Sequence, residues 1–256
     1  INIYFCQKKN GLEIRILKMK ESNVLEGNIK RFQFGGINNI SSNGKLIFVG
    51  ETGSGKTTLI NAMVNNILDV NFTDNFRYSV CDLNNKPRSE SESQTDFVTE
   101  YTFNYKYGMK RKCNFVLVDT PGFGDTRGPK IQKENVQQIL KYISKESSKV
   151  GLVIQSSTNR LTAEIRSILL DMKTLAKTGQ IESLIILSTF ADSGSPIVEE
   201  ILEGYDITYN KLYLFNNNAL YSKTQGISDR DRNSFKRNWT ITNRSIDMVL
   251  DFLRGD

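Results

Sequence analysis

The chain has 256 residues, with 34 Lys and Arg against 28 Asp and Glu, which gives a formal net charge of +6. This length suits one α/β domain with a short appendage, and an apolar fraction of 38% is too high for a disordered chain. Histidine is absent, which excludes Ser-His-Asp and Cys-His nucleophiles, His-ligated zinc and imidazole acid–base catalysis. Any catalysis must use carboxylates, hydroxyls, backbone amides, Lys, Arg or an oxygen-bound metal.

The three cysteines, Cys6, Cys81 and Cys113, are far apart and form no CxxC pair. This spacing indicates neither a zinc knuckle nor a disulfide framework, so we expect a cytoplasmic protein. The apolar runs are strand-sized, whereas a membrane helix needs about 18 or more apolar residues, so we expect no membrane span. The chain starts at Ile1 without a methionine, as a fragment would, and the absence of targeting signals therefore excludes no compartment.

The N-terminal residues 1–44 are expected to form a hairpin and connector ahead of a main domain at residues 45–256. Residues 1–17 alternate between apolar and polar around Asn10-Gly11, which predicts a small β-hairpin. Residues 21–45 are rich in Gly, Asn and Ser, which predicts a connector whose Phe32 and Phe34 pack against the domain.

From Leu46 onward, strand-like runs alternate with helical stretches. The predicted strands are residues 46–49, 97–107, 114–118, 151–155, 184–188 and 211–215. The predicted helices are residues 57–66, 130–144, 161–177 and 197–202. This alternation predicts an α/β fold with three layers, in which helices cover both faces of a mostly parallel sheet. The strands around Gly108 predict one antiparallel hairpin at a sheet edge.

Two further segments have clear patterns. An apolar stripe predicts a C-terminal amphipathic helix, and packing on the core is favoured over a partner-binding face. The stripe consists of Phe235, Trp239, Thr242, Ile246, Val249 and Leu253. Residues 69–96 are polar and have no period, which predicts a long loop that is functional or mobile.

A phosphate-binding motif follows the first of these strands. Residues 50–57 read GETGSGKT and fit GxxxxGK[ST] between a strand and a helix, which is the context that this motif requires. We expect Lys56 to reach the β and γ phosphates and the Thr57 hydroxyl to bind Mg²⁺. The residues expected to contact the nucleotide here are Glu51, Thr52, Gly53, Ser54, Gly55, Lys56, Thr57 and Thr58.

A second motif, Asp119-Thr120-Pro121-Gly122, ends the predicted strand at residues 114–118. Ligands of α/β sheets bind at the carboxyl ends of the strands. We therefore expect Asp119 to hold Mg²⁺ and the Gly122 amide to sense the γ-phosphate. The same four residues also fit an ordinary turn, and the phosphate motif upstream favours the functional interpretation.

GETGSGKTTLIN followed by DTPGFGDTRG closely resembles the septin-like branch of the P-loop GTPases, especially the GIMAP-type immune-associated GTPases and their protist and animal relatives. The resemblance covers about residues 46–219 and leaves the first 40 residues and the C-terminal helix unassigned. It implies a Ras-like fold, binding of GTP or GDP with Mg²⁺, and homodimers or homo-oligomers controlled by the nucleotide. It also implies a switch threonine that meets Mg²⁺ and the γ-phosphate, for which Thr95 is the candidate ahead of Thr99 and Thr102, with a solvated loop threonine as the alternative.

The resemblance implies that two segments recognise guanine. Thr189-Phe190-Ala191-Asp192 stands where GTPases read NKxD, so Asp192 fits the carboxylate that accepts from guanine, and Phe190 fits a ring-stacking role in place of the usual Lys. A helix-capping role for Asp192 remains open. The stretch at residues 214–219 resembles the FNNxA stretch of GIMAP proteins, which implies base contacts from Asn217 and Ala219, although an Asn-rich turn is the plain alternative.

Ras-type GTPases have a glutamine directly after DxxG that orients the attacking water, whereas this chain has Phe123 there. The remaining catalytic candidates are Lys56, the Thr95 backbone carbonyl that would orient water, and Arg127 as an arginine finger, with a surface or dimer-contact role for Arg127 as the alternative. The resemblance implies slow hydrolysis that dimerisation stimulates.

Three other functions compete with this GTPase. The first is a septin-like scaffold that binds nucleotide and barely hydrolyses it. The second is a nucleic-acid-associated or ribosome-associated GTPase, suggested by the net charge of +6 and by basic residues around Gly108. No aromatic platform accompanies these residues, and we expect no direct nucleic-acid binding. These basic residues are Lys106, Lys110, Arg111 and Lys112. The third is a P-loop kinase, for which no lid-like Arg cluster is present.

Overall fold

The structure, a computed structural model, describes residues 1–22, 29–40, 43–80, 97–124, 128–145, 147–192, 197–205, 207–223 and 226–255. Its strands are β1 (Ile3–Lys9), β2 (Leu12–Leu17), β3 (Lys20–Glu21), β4 (Ile29–Phe34), β5 (Asn43–Val49), β6 (Phe76–Ser79), β7 (Val98–Phe103), β8 (Asn114–Asp119), β9 (Ser148–Gln155), β10 (Ile181–Thr189) and β11 (Lys211–Leu214). Its α-helices are α1 (Lys56–Ile67), α2 (Pro129–Ile143), α3 (Ala163–Lys177), α4 (Ile197–Gly204) and α5 (Asp229–Arg254). A 3₁₀ helix spans Asn217–Ala219.

The larger of two sheets has eight strands in the order β11-β10-β9-β5-β8-β7-β4-β3. β5 is parallel to both of its neighbours, β9 and β8, and β10 and β11 extend the parallel part. β7 is antiparallel to β8 and parallel to β4, and β3 is antiparallel to β4. The predicted mostly parallel sheet is confirmed, with two antiparallel pairs where the sequence predicts one.

Helices cover both faces of this sheet, as predicted. α1 and α5 share a core with Leu46 and Phe48, while α2, α3 and α4 share the other core with Ile47 and Val49. Successive strand residues point to opposite faces, so this apolar run serves both cores, and all four side chains are fully buried. Burying each such side chain contributes about 1.5–3 kcal/mol. Because these four residues form the end of β5, their burial fixes where the strand ends and the next loop begins.

The smaller sheet consists of β1, β2 and β6. β1 and β2 are antiparallel and turn at Asn10 and Gly11, whose φ angles are 51° and 81°, so the predicted hairpin is confirmed. β6 pairs in parallel with β2 and is fixed to α1, where the Asn65 side chain bonds to both the N–H and the carbonyl of Tyr78. The prediction of one loop over residues 69–96 is therefore wrong at β6, because the partner strand lies far away in the sequence and the buried Arg77 hides the strand pattern.

The connector predicted over residues 21–45 is also wrong at β4, which pairs with β7 in the larger sheet. Phe32 and Phe34 are buried there and lie beside Tyr101 and Phe103, with ring centroids 5.9 Å apart in each pair. Because β4 pairs with the outer side of β7, the antiparallel β7–β8 pair lies inside the sheet. The prediction that this pair forms a sheet edge is therefore wrong. The division into residues 1–44 and 45–256 stays a prediction, although the larger sheet takes strands from both parts.

α5 packs on the core through its apolar stripe, as the favoured interpretation predicts. Its buried residues are Asn238, Thr242, Ile246, Val249, Leu250 and Leu253. On its polar side, Asp247 accepts hydrogen bonds from Lys110 and from Nη2 of Arg111, both at 2.8 Å, and Asp251 accepts from Nε of Arg111 at 3.1 Å. Two of the basic residues near Gly108 therefore hold α5 in place. Across the described ranges, no helix combines the length and the apolar character needed to span a bilayer.

Candidate functional site

The phosphate loop, residues 50–57, lies at the carboxyl edge of the larger sheet. β5 ends at Val49, α1 begins at Lys56, and the chain turns between them through Gly55, whose φ is 93°. A side chain disfavours this left-handed conformation, so glycine allows the turn. The first N–H groups of α1 have no partner within the helix, and the helix dipole adds a partial positive charge there. Thr58 lies in this first turn and is half-buried. The arrangement suits an anion such as a phosphate.

Lys56 is already oriented by the loop. Its Nζ donates to the carbonyl oxygens of Gly50 at 2.8 Å and Glu51 at 2.9 Å. Burial lowers the pKa of Lys56 to about 8, and the nearby charges of Asp119 and Glu51 only partly oppose this shift. A lysine ammonium has three donors. Within the described part of the chain two of these donors are used by the loop, so one remains for a phosphate oxygen.

The two residues predicted to bind Mg²⁺ lie together. The Thr57 hydroxyl donates to Oδ2 of Asp119 at 2.7 Å, because β5 and β8 are neighbours and end side by side. A hydroxyl and a carboxylate are hard oxygen ligands, which fit Mg²⁺. Among the described residues there is no cluster of three or more His, Cys, Asp or Glu side chains that would hold a metal. Phosphate and water oxygens would have to supply the remaining ligands.

Thr189 connects the phosphate loop to the predicted base-recognition segment. It stands where NKxD has Asn, and its hydroxyl donates to the Ser54 carbonyl at 2.7 Å. Thr189 is only 2% exposed. The threonine therefore joins the two segments by a buried hydrogen bond. The departure from the NKxD motif marks this position in the sequence, but it does not predict the contact with Ser54.

Two side chains outside the motifs also bind the loop, and neither was predicted. Gln155, at the end of β9, donates from Nε2 to the Gly53 carbonyl at 3.2 Å. Thr162, which caps α3, donates to Oε1 of Glu51 at 2.7 Å. Glu51 is thus held by a neighbouring helix, and Gly53 is exposed at the tip of the loop.

Gly122 lies directly against Thr52. A Cβ added at Gly122 would be 2.3 Å from Thr52 Oγ1 and 2.7 Å from its Cα, so only glycine fits this approach. The Thr52 N–H donates to the Phe123 carbonyl at 2.9 Å, and Asn135 of α2 donates to the Gly122 carbonyl at 3.1 Å. Among the described residues, the hydroxyls of Thr52 and Ser54 are buried without a hydrogen-bond partner. These contacts place Gly122 beside the phosphate loop, where a γ-phosphate sensor is expected.

Phe123 is a core residue. It is 1% exposed and belongs to the apolar cluster beneath α2 and α3. A cavity of about 120 Å³ lies between Phe123, the phosphate loop and the end of β9. The side chain after the second motif therefore fills space below the loop and offers no polar group to a water molecule.

Asp192 is exposed and is oriented by an unpredicted partner. Asn216 donates from Nδ2 to Oδ1 of Asp192 at 2.7 Å. Asn216 itself is buried, and its backbone N–H and carbonyl both bond to the Thr242 hydroxyl of α5. Phe190 is 58% exposed, and its Cε2 lies 3.7 Å from the position of a Cβ on Gly55. An exposed aromatic face therefore lies beside a fixed carboxylate at the edge of the phosphate loop.

The other predicted base residues lie in the short 3₁₀ helix. Ala219 is buried, and Asn217 has a buried Oδ1 that finds no hydrogen-bond partner among the described residues. Asn216, rather than Asn217, contacts Asp192. Asn216 lies within the quoted Asn-rich stretch, but only the fold shows which of its asparagines faces the carboxylate. The catalytic candidates Thr95 and Arg127 lie outside the described residues.

A larger cavity, of about 380 Å³, opens between the end of α3, the start of β10 and residues 207–210. It lies at the opposite edge of the sheet from the phosphate loop. It contains none of the predicted site residues, so this cavity and the chemistry of the motifs do not coincide. The site is therefore located by its polar geometry.

Residues 42–166 match the family model described as Septin, a family of P-loop GTPases. This septin-type segment includes the phosphate loop, Asp119 and Gly122. It ends before Asp192, Asn217 and Ala219, so the base-recognition residues lie beyond it. A comparison with curated protein sequences gives no match.

Three solved structures are similar at low sequence identity. Toc33 from Arabidopsis thaliana, a dimerization-deficient mutant, has 10% identity and a TM-score of 0.46, and the match covers 82% of this chain and 86% of Toc33. Era in complex with MgGDPNP and a segment of 16S ribosomal RNA has 15% identity and a TM-score of 0.47, over 77% of this chain and 57% of Era. Methanosarcina barkeri Roco2 bound to GDP has 12% identity and a TM-score of 0.45, over 86% of this chain and 51% of Roco2. The chain thus spans little more than half the length of the last two.

Proposed function

We propose that this chain is a Mg²⁺-dependent guanine-nucleotide-binding protein that hydrolyses GTP slowly and changes its self-association with the nucleotide state. The observation that carries the proposal is the joint position of Lys56, Thr57 and Asp119. Among the described residues, Lys56 keeps one ammonium donor for a phosphate. The Thr57 hydroxyl and Oδ2 of Asp119, which are both suitable Mg²⁺ ligands, lie 2.7 Å apart at the carboxyl ends of neighbouring strands. When bound, Mg²⁺ would neutralise charge on the transferred phosphoryl group.

Guanine is the base that the site supports best. A carboxylate can accept hydrogen bonds from both N1–H and the 2-amino group of guanine, whereas adenine offers no such pair of donors. Asp192 is exposed and is held by Asn216 at 2.7 Å, which supports this role. In this proposal Phe190 would cover the ring face, and Asn217 and Ala219 would contact the base from the loop that follows β11.

Slow hydrolysis follows from the absence of a polar side chain at Phe123. Lys56 would neutralise charge, and the γ-phosphate would meet the Gly122 amide. Thr95 is proposed as the switch threonine and Arg127 as the arginine finger. The γ-phosphate would order the segments around Thr95 and Gly122, and this ordering would couple hydrolysis to conformation.

Self-association as a homodimer or homo-oligomer is proposed on the resemblance to the septin-like branch, and the Septin match over residues 42–166 supports that branch. The closer likeness to GIMAP-type GTPases belongs to the same proposal. A cytoplasmic location is proposed on the cysteine pattern alone.

Calorimetric titration of GTP, GDP and ATP into nucleotide-free protein with Mg²⁺ tests the proposal. We expect guanine nucleotides to bind more tightly than ATP, and Asp192→Ala to remove that preference while ATP binding stays unchanged. Omitting Mg²⁺ should weaken GTP binding. Equal affinity for ATP and GTP in the wild type would refute guanine recognition.

A second candidate function is a nucleotide-binding scaffold that does not hydrolyse GTP. The burial of Phe123, where GTPases of the Ras type use glutamine, favours it. Single-turnover hydrolysis at increasing protein concentration separates the two functions. A rate that rises with concentration supports the slow GTPase, whereas no turnover at any concentration supports the scaffold.

A further inference from the structure

Residues 216–219, which include the predicted base residues Asn217 and Ala219, are called the base loop, and the N-terminal hairpin contacts the chain directly after them. Asn10, at the hairpin turn, donates from Nδ2 to the Tyr221 carbonyl at 3.0 Å. The Lys9 ammonium lies 4.7 Å from the centroid of the Tyr221 ring, which is a cation–π distance. Tyr221 is only two residues beyond Ala219. The tip of the hairpin therefore holds the end of the segment that carries the predicted base contacts.

The Tyr221 side chain ties this segment to the rest of the smaller sheet. Its ring packs against the buried residues Leu12, Ile14 and Ile16 of β2. Its hydroxyl interacts with the side chains of Ser79 and Asn61, and burial raises the pKa of Tyr221 to about 12. The ring and the hydroxyl are thus both engaged by elements outside the base loop.

Arg77 of β6 makes a second, independent connection. It is fully buried, and its Nε donates to the Leu220 carbonyl at 3.0 Å. Its Nη2 donates to the Phe72 carbonyl at 3.1 Å, and its guanidinium lies 4.5 Å from the centroid of the Trp239 ring. These partners are all uncharged and belong to different elements. Arg77 therefore connects the smaller sheet to α5 and to residue 220.

The two ends of the base loop are therefore held by different parts of the fold. Asn216 is fixed to α5 through Thr242, and residues 220–221 are fixed to the smaller sheet. A loop held at both ends keeps Asn217 and Ala219 at a fixed distance from Asp192. Asn238 of α5 also donates to Oδ1 of Asn218 at 3.1 Å, so releasing the hairpin contact would loosen the C-terminal end of the loop and leave its contacts with α5 in place.

We propose that Asn10, Lys9 and Arg77 are positioning residues for the base loop, so that the N-terminal hairpin controls how fast guanine nucleotide dissociates. This inference rests on the proposed function. Asn10 and Lys9 are exposed. A protein that binds the hairpin turn would therefore change the position of the base loop without touching the nucleotide.

Asn10→Gly and Lys9→Gln test the proposal without removing a core residue. Asn10 has a φ of 51°, which glycine adopts freely, so the variant keeps the turn and removes only the side-chain amide. We expect the dissociation rate constant of GDP to rise by a factor of about 2 to 10 in Asn10→Gly, from the loss of one hydrogen bond, and by about 2 in Lys9→Gln. Lys8→Gln, one residue earlier on the same hairpin, is the matched control and should leave the rate unchanged.

Binding of tripolyphosphate distinguishes a positioning role from a general loss of stability. Tripolyphosphate has no base, so its calorimetric affinity should be the same for wild type and variants. Unchanged GDP dissociation in both variants, or equal losses for GDP and tripolyphosphate, would overturn the positioning role. Failure of the wild type to bind GDP would instead overturn the proposed function, and the inference with it.

Discussion

Thr189→Val removes the hydroxyl that joins the base-recognition segment to the phosphate loop and leaves the shape of the side chain almost unchanged. The hydroxyl donates to the Ser54 carbonyl at 2.7 Å and lies 3.4 Å from the Ile154 carbonyl, at a position that is 2% exposed. Water cannot replace a donor at such a buried site. Leaving a buried carbonyl without its donor costs about 1–3 kcal/mol. We expect the free energy of unfolding to fall by that amount.

Urea unfolding of nucleotide-free protein measures this loss, provided that the slope of the transition is unchanged. Ser156→Ala is the matched control, because the Ser156 hydroxyl donates to the Phe190 carbonyl at 2.9 Å but is exposed, so its loss should cost less than about 0.5 kcal/mol. GDP affinity should also fall in Thr189→Val, since the phosphate loop and the base segment lose their connection. If Thr189→Val unfolds like Ser156→Ala and binds GDP like the wild type, the connecting role of Thr189 is wrong.

Two further predictions concern ionisable groups. Burial lowers the pKa of Lys56 to about 8 from its ordinary 10.5, so the unfolded chain binds more protons between these values and the stability contributed by this group rises with pH. Nucleotide affinity should fall as pH rises through 8, because the ammonium is lost, and calorimetry should show no such fall in Lys56→Gln. Burial raises the pKa of Asp247, but hydrogen bonds from Lys110, Arg111 and Asn66 outweigh it and hold that pKa below its ordinary 3.8. Asp247→Asn should therefore cost about 1 kcal/mol of stability at neutral pH, and the difference from wild type should vanish as the pH falls through the folded-state pKa. An equal cost in Asp251→Asn, whose one ion-pair partner among the described residues is Arg111, would contradict this.

The phosphate loop could be predicted because its chemistry is contiguous. Gly50 to Thr57 carry the whole motif, and the apolar run before it is buried on both faces, so local pattern and tertiary position agree. The Thr57–Asp119 pair also follows, because neighbouring parallel strands end at one edge.

The remaining features depend on contacts between distant parts of the chain. β4 is recognisable as a strand only beside β7, and β6 only beside β2, since their own residues lack a clear alternation. Arg77 looks like a surface residue in sequence, yet the carbonyl oxygens of Phe72, Asp74 and Leu220 accept its hydrogen bonds and allow its burial. Asn216 could not be separated from its neighbouring asparagines until the fold placed it against Asp192.

The most direct measurement of guanine recognition compares the affinities of the wild type and Asp192→Asn for guanosine and xanthosine diphosphates. Xanthine carries a carbonyl where guanine carries the 2-amino group, so an asparagine amide can donate where the carboxylate accepted. We predict that the wild type prefers guanosine diphosphate and that Asp192→Asn prefers xanthosine diphosphate, with Lys56 and the phosphate loop unchanged. If the substitution leaves the order of affinities as it was, Asp192 does not read the base, and guanine recognition by this site is refuted.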